Sequence, residues 1–75
     1  MKIIINGCGK IGKVILASLV AEGHDVVAID KDPQVLDDIT NVYDVMGVCG
    51  NGTDSDILLE AGVDSVDLLV AVTGS

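Results

Sequence analysis

Gly7-Cys8-Gly9-Lys10-Ile11-Gly12 sets three glycines at GxGxxG spacing between the apolar run Ile3-Ile4-Ile5 and the helix-like stretch Lys13 to Val20. Nine glycines in 75 residues make chance spacings common, so the pattern takes its meaning from its flanks. Upstream, Lys2 to Asn6 is apolar without alternation, as in a parallel strand covered on both faces. Downstream, Gly12, Ile15, Leu16 and Leu19 recur at helical spacing as far as Glu22, with Lys10, Lys13 and Ala17 on the other side. Gly23 supplies a left-handed helix end. Val26 to Ile29 is a second apolar run that closes on Asp30. Strand, turn, helix and strand fill the roughly 30 residues of a βαβ unit, for which a right-handed crossover is expected.

The alternation continues to the end of the chain. Asp32-Pro33 opens a second helix: Asp32 can cap free N–H groups, Pro33 fits the first turn, and Val35, Leu36 and Ile39 form the buried side. Val45 to Cys49 reads as a weak third strand, followed by a tight turn at Gly50-Asn51-Gly52-Thr53. Thr53 with Asp56 resembles a capping box for a short helix through Glu60, closed by Gly62. Leu68 to Val72 is a fourth strand, and Thr73-Gly74-Ser75 end the chain. The expected fold is α/β: one Rossmann-like parallel sheet of order 3-2-1-4 with flanking helices. A sheet that stops on a bare apolar strand leaves an edge and a face uncovered. Residues 1–75 are therefore expected to be the N-terminal part of a longer domain, truncated after its fourth strand, or to be completed by a second copy.

Composition narrows the function. Hydrophobic residues are 49% and aromatics 1%, a Val, Ile, Leu, Ala and Gly palette suited to parallel strands under helices. Four lysines against twelve carboxylates give a net charge of −8, which repels nucleic acid and anionic membrane surfaces. A phosphate site in such a chain must rely on backbone N–H groups and a helix dipole. Cys8 and Cys49 form no CxxC pair, so neither a disulfide framework nor a zinc site is indicated and a reducing cytosol fits. No cationic leader precedes the first strand, and the stretch Val14 to Ala21, with Ser18 allowed, is far short of about 18 residues. The expectation is a chain neither secreted nor inserted in a membrane.

In a dinucleotide-binding turn the first glycine permits the sharp bend, the second lets backbone approach the pyrophosphate, and the third lets helix and strand pack closely. Gly7, Gly9 and Gly12 fit these roles. A carboxylate about 20 residues on accepts hydrogen bonds from the adenosine ribose. Asp30 lies 18 residues after Gly12. A 2′-phosphate beside Asp30 would meet like charge, so NAD is favoured over NADP, while Lys31 could turn inward toward a phosphate. ATP or ADP shares the ribose and adenine and remains open. Cys8 sits near a helix N-terminus, where a thiol pKa tends to fall, yet an inert small side chain is the expectation. His24 reads as a solvated loop residue, Tyr43 as strand-edge packing, Cys49 as core, and the acidic stretch from Asp30 to Asp38 as a solvated helix face.

A second set of residues narrows the family. Gly50-Asn51-Gly52-Thr53-Asp54, continuing through Leu58-Leu59-Glu60-Ala61-Gly62-Val63 to Asp67-Leu68-Leu69-Val70-Ala71-Val72-Thr73, resembles the N-terminal part of the TrkA family. With the first glycine turn and the Asp30-x-Asp32-Pro33 step, the resemblance covers essentially the whole chain. That family comprises cytosolic, nucleotide-binding regulators of potassium uptake, and its domain is also called RCK or KTN. The sequence departs from the family pattern at Asn51, where an aspartate is usual. The resemblance implies that Gly7, Gly9 and Gly12 hold the phosphates and Asp30 the ribose, with Gly50 to Thr53 and Thr73 lining the adenosine side. The full set of candidate NAD(H)-contacting residues is Gly7, Cys8, Gly9, Lys10, Ile11, Gly12, Asp30, Lys31, Gly50, Asn51, Gly52, Thr53, Val72 and Thr73.

The resemblance further implies self-association and docking on a membrane-embedded potassium-translocating subunit. The competing expectation is the cofactor-binding part of an NAD-dependent dehydrogenase. An enzyme needs an acid–base group over the nicotinamide. The only histidine, His24, is placed in a remote loop, and Lys10 and Lys13 on the first helix; the resemblance at the second turn tips the reading to a regulatory module over an enzyme.

Overall fold

Ile3, Ile4 and Ile5 are consecutive, so they alternate between the two faces of a strand, and all three are completely buried. That requires a cover on each face. The computed structural model describes residues 1–72, and the expectations placed on Thr73, Gly74 and Ser75 lie outside the described residues. In chain order the elements are β1 (Lys2–Asn6), α1 (Lys10–Ala21), β2 (Asp25–Asp30), α2 (Pro33–Val42), β3 (Met46–Cys49), α3 (Ser55–Glu60), a 3-10 turn (Val63–Ser65) and β4 (Leu68–Ala71). The strands form one sheet of order β3-β2-β1-β4, parallel throughout, as the alternation of apolar runs and helices predicts.

Register explains the two cores. Ile3 and Ile5 pair with Val26 and Ala28, and this face carries Leu16 from α1 with Leu36 and Ile39 from α2. Ile4 pairs with Val27 on the opposite face, where Ile29, Val48 and Ala61 pack with Ile57, Leu58 and Val63. Helices α1 and α2 therefore cover one face, and α3 with the 3-10 turn covers the other. Full burial of a residue of this size is worth about 1.5–3 kcal/mol, so the isoleucines of β1 are the centre of the fold's stability.

The helix ends follow the sequence. Gly23 is left-handed at φ 86°, and the N–H groups of Gly23 and His24 return to the carbonyls of Val20 and Leu19. His24 is partly exposed and lies 3.4 Å from Glu22. Tyr43 ends α2 half-buried and packs against the α1/α2 core. One expectation is overturned: Cys49 is exposed rather than core. It ends β3, the edge strand. Cys49 shares its face with Gly47, which Leu36 and Thr40 of α2 cover, but it is the last residue of the strand and its thiol points to the carbonyl of Lys31 at 3.6 Å. At the other edge, β4 leaves Leu68 46% and Leu69 42% exposed. No helix among the described residues is long and apolar enough to cross a membrane.

Candidate functional site

Ladder bonds carry each strand's C-terminal end into a turn at the same edge of the sheet. Gly7 N–H donates to Ile29 O at 2.9 Å, Gly50 N–H to Asp30 O at 2.9 Å, and Val72 N–H to Asn6 O at 2.8 Å. A cleft of about 390 Å³ opens there, lined by Asn6, Gly7, Ile29, Asp30, Lys31, Gly50, Asn51, Gly52, Thr53, Ala71 and Val72. In open α/β sheets ligands bind outside the carboxyl ends of the strands, where the strand order reverses. Here the reversal falls between β1 and β4, and Gly7 and Val72 flank it.

The first turn is shaped by two glycines for different reasons. Gly7 has φ 102°, and a Cβ there would also overlap the carbonyl of Val72. Gly12 is helical and buried, and a Cβ there would overlap the carbonyl of Gly7, so α1 could not sit this close to the turn. Gly9, the N-cap of α1, is extended at φ −69°, a conformation open to any residue, and it offers no capping side chain. This sets α1 apart from the other helices. Asp32 caps α2 by accepting the Gln34 N–H at 2.9 Å, and Asp54 caps α3 by accepting the Asp56 N–H at 2.9 Å. Among the described residues, only the helix that follows the glycine turn has no side-chain acceptor and no acidic residue in its first turn. A helix start with free N–H groups and a positive dipole end suits an anion.

The lysines reinforce that polarity. Lys10 and Lys13 lie in the first turn of α1, and Lys31 lines the cleft, so three of the chain's four cations gather around one end of a molecule with net charge −8. Asp30 is a structural centre as well as a cleft residue. Its Oδ2 accepts the Cys8 N–H at 2.8 Å and its Oδ1 accepts the Asp32 N–H at 3.0 Å, tying the glycine turn to the start of α2. A carboxylate has about four acceptor sites, so two remain for a ligand hydroxyl.

Of the other residues expected at a ligand, Gly7, Asp30, Lys31, Gly50, Asn51, Gly52, Thr53 and Val72 line the cleft, whereas Cys8, Gly9, Lys10, Ile11 and Gly12 do not. Lys10 and Ile11 are exposed on α1 beside it. Cys8 faces the core with its thiol 3.7 Å from Ile29 O, and its N–H is already given to Asp30. Burial, and then the Asp30 carboxylate, push its pKa up to about 11 against a weaker opposing pull from Lys13. The helix N-terminus does not activate this thiol.

The second turn corrects one reading. Asp54, not Thr53, caps α3. Thr53 is occupied elsewhere: Asn51 Oδ1 accepts its N–H at 3.0 Å and its hydroxyl at 2.8 Å. That oxygen performs the acceptor work a carboxylate would perform at position 51, which is why the asparagine keeps the turn. Asn6, Ile29 and Ala71 are cleft residues the sequence reading missed. The latter two are strand ends that only topology brings together. Asn6 carried a signal, a carboxamide closing an otherwise isoleucine-rich strand.

A parallel sheet of order β3-β2-β1-β4 with a glycine turn after its first strand and a carboxylate after its second is a Rossmann-like nucleotide-binding domain. Residues 3–75 match the TrkA-N domain. The chain belongs to that family. It is 40% identical over 73 residues to the Trk system potassium uptake protein TrkA of Azorhizobium caulinodans, covering 97% of this chain and 16% of that protein. It is 39% identical over 75 residues to the TrkA of Vibrio alginolyticus, covering 100% of this chain and 16% of that protein. It is 35% identical over 75 residues to the TrkA homolog of Methanothermobacter thermautotrophicus, covering 100% of this chain and 35% of that protein. The chain thus spans well under two thirds of these relatives' lengths.

Proposed function

We propose that the cleft binds NAD or NADH and that its occupancy regulates potassium uptake through a membrane-embedded potassium-translocating subunit. The observation that carries the nucleotide reading is the glycine turn, which is bonded to Asp30 through the Cys8 N–H, lines the cleft with the Gly50–Thr53 turn at the reversal of strand order, and leads into the uncapped start of α1. In this reading the N–H groups after Gly9 take the pyrophosphate and Lys10 and Lys13 balance its charge. The unused acceptor sites of Asp30 take ribose hydroxyls, and Gly50 to Thr53 with Val72 and Thr73 line the adenosine side. A 2′-phosphate at Asp30 would face like charge, which favours NAD(H) over NADP. ADP and ATP share the adenosine half and are the alternative ligands.

The potassium-transport part rests on the relatives, which are named as potassium uptake proteins. The domain would act in the cytoplasm at the inner face of the membrane, as the N-terminal part of a longer, self-associating chain. Regulation then requires the nucleotide to prefer one arrangement of the assembled domains, since equal affinity for both shifts nothing. Calorimetric titration with NADH, NAD, NADP, ADP and ATP tests the site. The expected order places NAD(H) above NADP, and Asp30→Ala weakens NADH. Equal affinity of NAD and NADP, or an unaffected Asp30→Ala, removes the ribose assignment. Loss of potassium uptake in a strain lacking the gene, restored by wild type and not by a nucleotide-blind variant, tests the regulatory part.

A further inference from the structure

Asn6 ends β1 on the face of the sheet that α3 covers, in register with Ile29 of β2 and Ala71 of β4. Its side-chain Nδ2 donates to the carbonyl of Gly52, 46 residues away, at 3.0 Å in a part-buried setting. A Cβ built on Gly52 would overlap the Asn6 carboxamide, whose oxygen, carbon and nitrogen are its three nearest atoms. The carboxamide therefore occupies the volume that a side chain at position 52 would need. Both residues line the cleft.

We propose that Asn6 is a positioning residue for the adenosine side of the cleft. Its carboxamide holds the Gly50–Thr53 turn against the end of β1, and position 52 is glycine because Asn6 stands there. The turn has no strand of its own to fix it on this side. Its register is set by Gly50 N–H on Asp30 O at one end and by the Asp54 cap of α3 at the other, and Asn6 is the side chain that reaches the middle. Two requirements follow. The donor must be an amide, since Gly52 offers a carbonyl oxygen that a carboxylate would repel. The two positions must also be coupled, because a larger residue at 52 is tolerable only when residue 6 is smaller.

The ligand arm of the test rests on the nucleotide reading above, and the exchange arm does not. In the full-length chain, Asn6→Ala, Asn6→Asp, Gly52→Ala and the double variant Asn6→Ala/Gly52→Ala are compared for NADH and ADP affinity. Hydrogen exchange of the peptide spanning residues 50–54 is followed in parallel. Loss of one part-buried hydrogen bond predicts that Asn6→Ala weakens NADH and ADP alike, about fivefold, and that Asn6→Asp, which adds repulsion from the Gly52 carbonyl, weakens both by at least as much, with faster exchange at the turn in each. Gly52→Ala binds more weakly than either, and adding Asn6→Ala to it raises affinity again. Val26→Ala, a core change at the opposite end of the sheet, lowers the melting temperature without this pattern. Wild-type behaviour of Asn6→Asp, or simple additivity of the two single variants, overturns the proposal. If the wild-type chain binds neither nucleotide, the nucleotide reading falls. The exchange arm then decides alone: protection at 50–54 lost in Asn6→Asp supports positioning, and unchanged protection overturns it.

Discussion

Replacing Asp30 by alanine separates two roles that its carboxylate combines. The carboxylate accepts the Cys8 N–H at 2.8 Å and the Asp32 N–H at 3.0 Å, and its remaining acceptor sites face the cleft's proposed ligand. Hydrogen bonds to charged groups are worth about 1.5–3 kcal/mol. The Cys8 bond is part-buried, so the lower end of that range applies, and the exposed Asp32 bond adds about 0.5 kcal/mol after solvent screening. Asp30→Ala should therefore cost roughly 2 kcal/mol, with a melting temperature about 10 °C lower for a domain of this size. Total stability on the order of 4–11 kcal/mol leaves the variant folded at 25 °C. Asp30→Asn keeps one acceptor oxygen and sets its NH₂ against the other donor, so about half that loss is expected. Urea unfolding followed by far-UV circular dichroism measures the first role, and NADH calorimetry on the same samples measures the second. An unchanged unfolding midpoint in Asp30→Ala would refute the claim that the carboxylate holds the glycine turn, whatever happens to nucleotide affinity.

Three further outcomes follow from particular residues. Gly7→Ala and Gly23→Ala both place a Cβ at positive φ, but the Cβ at 7 overlaps the Val72 carbonyl and the one at 23 meets nothing within 4 Å. Urea midpoints should place Gly23→Ala about 1–2 kcal/mol below wild type and Gly7→Ala much lower or unfolded. The buried Cys8 thiol, with its pKa raised from 9.0 to about 11, favours the folded state below pH 9, and that contribution is lost as pH rises toward 11. The stability difference between wild type and Cys8→Ala should shrink over that window, while a thiol reagent at neutral pH labels the exposed Cys49 alone until the chain unfolds. Asp54→Ala removes the cap of α3 and should cost about 1 kcal/mol in the same unfolding assay. Thr53→Ala, which loses only its hydroxyl bond to Asn51, should cost less.

The order of elements and the first turn could be read from sequence because their causes are local. Apolar runs without alternation mark covered parallel strands, and the spacing of Gly7, Gly9 and Gly12 against Ile3-Ile4-Ile5 fits one strand-to-helix turn. Asp32 and Pro33 likewise announce α2 within two residues. The departures arise where neighbouring side chains compete for one role, or where the strand order decides exposure. Thr53 and Asp54 are both capable caps, and Asn51 decides between them by taking the Thr53 N–H and hydroxyl. Cys49 has the chemistry of a core residue, but its strand lies at the sheet edge, and edge position depends on the whole strand order.

Sequence alone therefore determined the parallel α/β fold, the glycine turn and the carboxylate in register with it, since each depends on residues close along the chain. Tertiary structure decided what the turn is joined to. Asp30 binds it to the start of α2, and Asn6 reaches Gly52 across 46 residues of chain to hold the second turn over the same cleft. Those bonds depend on which strand ends lie side by side, and the sheet order sets that.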